Sequence, residues 1–142
     1  MRGHGVTARE YLEGVASDVR AHRRAELLLT FGPASGGMRG GSGLTDPVQA
    51  RFESDERARA AMARTEETIG EALARIDGLR TLFGRKADVL EMRYIDLAAW
   101  DEIAVELGVD KRKAHRWHDM VCDWVDSFGW ARASRGYGTA QI

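Results

Sequence analysis

The chain has 142 residues, 44% of them hydrophobic and 30% charged, with a formal net charge of −1 at pH 7. That length fits one domain, or a small domain with an appendage, and the near-neutral balance excludes a globally basic protein, so any nucleic-acid surface has to be a local patch. A single cysteine excludes an internal disulfide, and no apolar run forms a signal peptide or approaches the roughly 18 residues of a membrane helix, so a cytoplasmic location with no membrane partner is expected.

The two prolines, Pro33 and Pro47, fall in one stretch, and no alternating pattern of useful length marks a strand. The expected fold class is all-α, with a long N-terminal helical hairpin or coiled coil followed by a C-terminal helix-turn-helix bundle. The first helix should run from about Thr7 to Phe31. Thr7 and Glu10 have the spacing of a capping box. Leu12, Val15, Val19 and Leu29 fall on one face with His22 between them, and Glu26 breaks that face.

GPASGGMRGGSGLTDP follows, with six glycines between Gly32 and Gly43. It lacks the Gly-Lys-Ser/Thr ending of a phosphate-binding loop, so 32–45 is expected to be a connector. Asp46 is placed to cap a long helix, with Pro47 in its first turn, reaching about Leu82. Met62, Ile69, Ile76 and Phe83 recur every seven residues, Thr65, Ala72 and Leu79 occupy the complementary positions, and Leu73 widens the stripe. Such a repeat implies packing against another long helix, either the first helix or a second subunit. The opposite face carries Glu66, Glu67, Glu71 and Arg75. Between Asp46 and Leu79 there are eight acidic and five basic residues, which makes this helix a poor phosphate contact.

Three shorter helices are expected after residue 83. Arg85 to about Ile95 carries Val89, Leu90, Met92 and Tyr94. Trp100 to Leu107 carries Ile103, Ala104 and Leu107. The helix from Asp110 to about Phe128 carries Ala114, Trp117, Val121, Cys122, Val125 and Phe128. The expected organisation is an oligomerisation or docking region over 1–82, a helix-turn-helix domain over 83–130, and a flexible tail over 131–142.

WDEIAVELGVDKRKAHRW has the features of a helix-turn-helix. A helix ends at Gly108, where positive φ is wanted, and Asp110 caps the next one. Ala104 is small enough for close approach of the two helices, and Ile103, Leu107, Val109, Ala114 and Trp117 form their shared core. VLEMRYIDLAAWDEIAVELGVDKRKAHRWHD resembles the fourth conserved region of bacterial sigma factors. It is more similar still to phage and mobile-element regulators of the ArpU/RinA type. The positions that carry the likeness are Val89, Leu90, Arg93, Tyr94, Ile95, Trp100, Glu102, Ile103, Ala104, Leu107 and Gly108. Tyr11-Leu12 and the Gly/Ser-rich segment ending in Asp-Pro extend it loosely towards the N-terminus. Ala99 departs from the Ser or Thr that commonly precedes the Trp in that group. Ala114 and Trp117 are respectively smaller and larger than its usual residues, a compensating volume change.

The resemblance implies a sequence-specific regulator of phage, prophage or mobile-element origin that binds double-stranded DNA. Lys111, Arg112, Lys113, His115 and Arg116 would enter the major groove at the start of the second helix. Arginine forms bidentate bonds with guanine edges, whereas lysine supplies point contacts, so Arg112 and Arg116 are expected near bases, and Lys111 and Lys113 near phosphates. Asp119, Asp123 and Asp126 make the later turns unfavourable against phosphate, which confines groove contact to the first two turns.

His115, His118 and Cys122 are spaced by three and four. Structural zinc sites usually draw ligands from two separated segments, so no metal and no cofactor is expected. No nucleophile with a base, carboxylate pair in a cleft or cofactor loop marks an enzyme. Two rival readings stand beside this one. One is a small terminase-like DNA-packaging subunit. The other is a module that docks on RNA polymerase through the acidic stripes. A homodimer or higher oligomer is expected in the leading reading.

Overall fold

The computed structural model describes residues 6–31 and 47–134. The chain is all-α: α1 Ala8–Phe31, α2 Pro47–Phe83, a 3₁₀ turn Gly84–Ala87, α3 Asp88–Tyr94, α4 Trp100–Leu107, α5 Lys111–Phe128 and α6 Trp130–Ser134. No strand occurs among the described residues, and no helix among them is long and apolar enough to cross a membrane. The Gly-rich segment, Asp46 and residues 135–142 lie outside the described residues. The helix α6 carries regular structure to Ser134, into the stretch expected as tail.

The start of α1 closes as its spacing predicts. The Thr7 N–H donates to Glu10 Oε1 at 3.0 Å, and the Glu10 N–H donates to Thr7 Oγ1 at 3.1 Å. These two bonds satisfy donors that a helix N-terminus otherwise leaves unpaired.

The main partner of α2 is α1. His22 Nδ1 lies 3.0 Å from Thr65 Oγ1 towards one end. Val15 and Val19 pack with Ala72 midway, and Leu12 and Ala16 share a core with Ile76 and Leu79 at the other end. Numbers fall along α2 as they rise along α1, so the hairpin is antiparallel. The Thr65 hydroxyl donates to the Ala61 carbonyl at 3.0 Å, which leaves its oxygen to accept from His22. Ala58, Thr65, Ala72 and Leu79 are buried, whereas Met62, Ile69 and Phe83 are half-buried. Small side chains therefore face α1 and allow a close approach. Leu73 does not widen the buried stripe as expected, since it is 36% exposed. Helical spacing turns it about 100° from Ala72 on the buried line of α2.

The same core continues into the C-terminal helices. Leu90 and Tyr94 of α3, and Val121, Cys122 and Val125 of α5, pack with Leu12, Ala16, Ile76 and Leu79. The two regions expected on either side of residue 83 thus share one apolar interior.

Candidate nucleic-acid interface

The helix-turn-helix forms from local signals. Gly108 takes the left-handed conformation at φ 70°, which favours glycine, and its N–H closes α4 onto the Ala104 and Val105 carbonyls. The Val109 N–H donates to the Ala104 carbonyl at 3.0 Å. Asp110 is extended, and its carboxylate accepts from the Lys113 N–H at 2.8 Å, capping α5. At the start of α4 only half of a capping box is made. The Glu102 carboxylate accepts from the Ala99 N–H at 2.8 Å, but Ala99 has no oxygen to return the bond.

Val89, Ile103, Leu107, Ala114 and Trp117 form a second core, flanked by Met92, Ala98, Trp100 and Val109. It sets the roll of α5. With Ala114, Trp117, His118 and Val121 turned inward, helical spacing places Arg112 and Arg116 near the centre of the outward face, one turn apart.

The five residues singled out from the sequence are all exposed at this end of α5, but they differ in what they touch. Arg112 and Arg116 have no partner among the described residues. Lys111 Nζ is 3.0 Å from Asp101 Oδ1, an exposed pair of small energetic weight. Lys113 Nζ lies 5.8 Å from the Trp117 ring centroid. His115 is stacked on Trp100, with ring centroids 3.8 Å apart, so one face of its ring is already covered. Arg93 covers Trp100 from 5.1 Å and donates to the Ala98 carbonyl at 3.0 Å, which ties α3 to the start of α4.

Two further cations belong to this surface and were not singled out from the sequence. Arg85 and Lys86, on the 3₁₀ turn, lie 5.5 and 6.0 Å from the Trp117 ring centroid. Arg85 Nη2 also donates to the Leu107 carbonyl, one of those a helix C-terminus leaves unpaired. The consecutive Arg-Lys at the opening of the C-terminal region was the available signal. The fold was needed to bring it beside α5.

The acidic residues of α5 are engaged internally. Arg9 reaches Asp119 and Asp123 at 3.2 Å each and Asp126 at 3.7 Å. Asp126 Oδ1 accepts from the Ala8 N–H at 2.7 Å, at the N-terminus of α1. The start of α1 therefore packs on one side of the later turns of α5, where Asp119 and Asp123 remain exposed with Arg9 opposing their charge.

His118 and Cys122 are buried. Asp119 can only accept, so the Nδ1 proton of His118 points to it at 3.0 Å, and Nε2 accepts from the Tyr94 hydroxyl at 2.7 Å. Burial lowers the His118 pKa below its ordinary value, with Asp119 opposing. Burial pushes the Cys122 thiol up to about 12, well above the range of a reactive thiolate. Among the described residues, no three His, Cys, Asp or Glu side chains are placed to hold a metal ion.

Comparison with family models, curated proteins and solved structures gives no match to this chain.

Proposed function

We propose that the protein is a sequence-specific regulator of transcription that inserts the first two turns of α5 into the major groove of duplex DNA. The observation that carries this reading is the pair Arg112 and Arg116. Both are exposed, without a partner among the described residues, and one turn apart on the face of α5 opposite the core that fixes its roll. Arginine in that position offers bidentate donors to guanine edges, and Lys111 and Lys113 flank it for the backbone. His115 presents a ring edge beside them, held by Trp100. The likeness of the α3–α5 sequence to sigma region four and to ArpU/RinA-type regulators points the same way.

The test is fluorescence anisotropy on duplexes across a salt series. The Arg112→Glu, Lys113→Glu double variant is expected to lose binding while circular dichroism keeps its helical signal. Binding that survives the charge reversal overturns the reading, and a salt-insensitive affinity argues against phosphate contact. The rival proposal of an acidic face docking on RNA polymerase loses part of its motive, because Asp119, Asp123 and Asp126 are paired with Arg9. A packaging subunit is distinguished by mass in solution: a closed ring favours packaging, and a monomer or dimer favours regulation.

A further inference from the structure

The basic residues around Trp117 come from two elements. Arg85 and Lys86 belong to the 3₁₀ turn before α3, and Lys113 to the first turn of α5. All three cationic groups lie within 6.0 Å of one indole centroid. None has a carboxylate partner among the described residues. Elsewhere in the molecule arginines gather carboxylates: Arg9 meets three on α5, and Arg80 meets Asp77, Asp88 and Glu91. Around Trp117 like charges gather with no carboxylate partner among the described residues, although the indole offsets part of the repulsion.

The three are not equivalent. Arg85 is committed to the Leu107 carbonyl, so it ties the turn before α3 to the end of α4. Among the described residues, the ammonium groups of Lys86 and Lys113 make no hydrogen bond, which leaves their three donors for a ligand. The two lysines come from two elements to within 6.0 Å of the same indole centroid, and a tetrahedral anion at that ring could accept from both. They lie beside, not on, the outward face that carries Arg112 and Arg116.

We propose that Lys86 and Lys113 together hold a single DNA backbone phosphate at the edge of Trp117, with Arg85 as the positioning residue that keeps the two elements in register. This inference rests on the DNA-binding reading and deepens it. It assigns a phosphate anchor outside the recognition helix, at the junction of the turn before α3 with α5. Such an anchor would set how α5 lies in the groove, because phosphate contacts fix register and orientation without reading sequence.

The test uses the full chain and a labelled duplex of about 20 base pairs with arbitrary sequence, since backbone contacts dominate binding there. Affinity is measured from roughly 50 to 200 mM salt, and the slope of log affinity against log salt is compared between variants. Lys86→Gln removes the charge and keeps a polar side chain one atom shorter. Because Lys113 still faces the phosphate, this variant is expected to reduce the slope by less than the roughly 0.9 of one full contact. Lys113→Gln should do the same. The double variant should lose about 0.9, because the two lysines share one phosphate. An unchanged slope for the double variant, with the unaltered protein still binding, overturns the anchor and leaves the DNA-binding reading standing. Single variants that each lose about 0.9, and a double variant that loses about 1.8, show two separate phosphates and overturn the shared site. Failure of the unaltered protein to bind duplex overturns both.

Discussion

His118 shows how one residue ties the surface to the core. Its ring lies between the Tyr94 hydroxyl and the Asp119 carboxylate, edge-on to Trp100 at 5.4 Å. Burial is the larger influence on its pKa and lowers it, so the folded protein resists protonation. The unfolded chain takes up that proton below about pH 6.5. Stability from this group is therefore full above that pH and falls as the pH drops towards the lower folded value, by at most about 1.4 kcal/mol per pH unit. Asp119 is also held below its ordinary value, first by its bond from His118, so its contribution is lost in turn at lower pH. Urea midpoints at pH 7.5 and 5.5 should show a drop for the unaltered protein. His118→Phe should start lower, because the Tyr94 hydroxyl loses its acceptor, but its drop should be smaller. An equal drop in the variant contradicts the assignment.

At the scale of elements, helix ends decide how well the site is built. The helix α4 is only eight residues long, too short to be stable without help. It is held by Glu102 at one end and by Gly108 and Arg85 at the other. Its missing N-cap oxygen is the weak point. Ala99 already has the extended backbone of a cap residue, at φ −74° and ψ 155°. Ala99→Asp is expected to stabilise the protein by about 1 kcal/mol, read as a higher midpoint in thermal or urea unfolding; no gain would mean that the α4 start is already satisfied. The link before α4 is under opposite pressure. Leu97 has φ 59°, a left-handed conformation that costs a non-glycine residue about 1–2 kcal/mol. It persists because the Leu97 side chain packs against the hairpin core, and Arg23 reaches the Ile95 and Asp96 carbonyls beside it at 3.4 Å.

At the scale of the whole molecule, the hairpin and the helix-turn-helix are joined by one interior. Ile76 and Leu79 of α2 are fully buried against α3 and α5 residues as well as α1. Arg80 spans from α2 to Asp88 and Glu91 of α3 at 2.7 and 2.6 Å, and Trp130 of α6 packs on Tyr11, with ring centroids 5.1 Å apart. The two regions should therefore unfold together. Tryptophan fluorescence reports α4 to α6 and far-ultraviolet circular dichroism is dominated by α1 and α2, and their urea transitions should coincide. Ile76→Ala should cost about 2–5 kcal/mol and shift both transitions equally. A shift in one alone would show two independent units.

What could be read from the sequence was what neighbours in the chain decide. The capping box at Thr7 and Glu10, the bounds of α4, the left-handed Gly108, the Asp110 cap and the inward set from Ile103 to Trp117 all depend on dihedral preferences and bonds across a few residues. They appeared in the structure where the sequence placed them. The basic run of α5 was legible for the same reason, since a helix with a known apolar face has a known outer face. Tertiary structure decided the rest. It showed that α1 is the partner of α2, that Leu73 stays outside, and that His115 lies on Trp100. It brought Arg9 to the acidic turns of α5, Asp126 to the start of α1 across 118 positions, and Arg85 to the end of α4. Nothing local distinguishes these charges from their neighbours. Their partners are chosen by how the helices cross, and the crossing is set by which small and large side chains meet in the shared core.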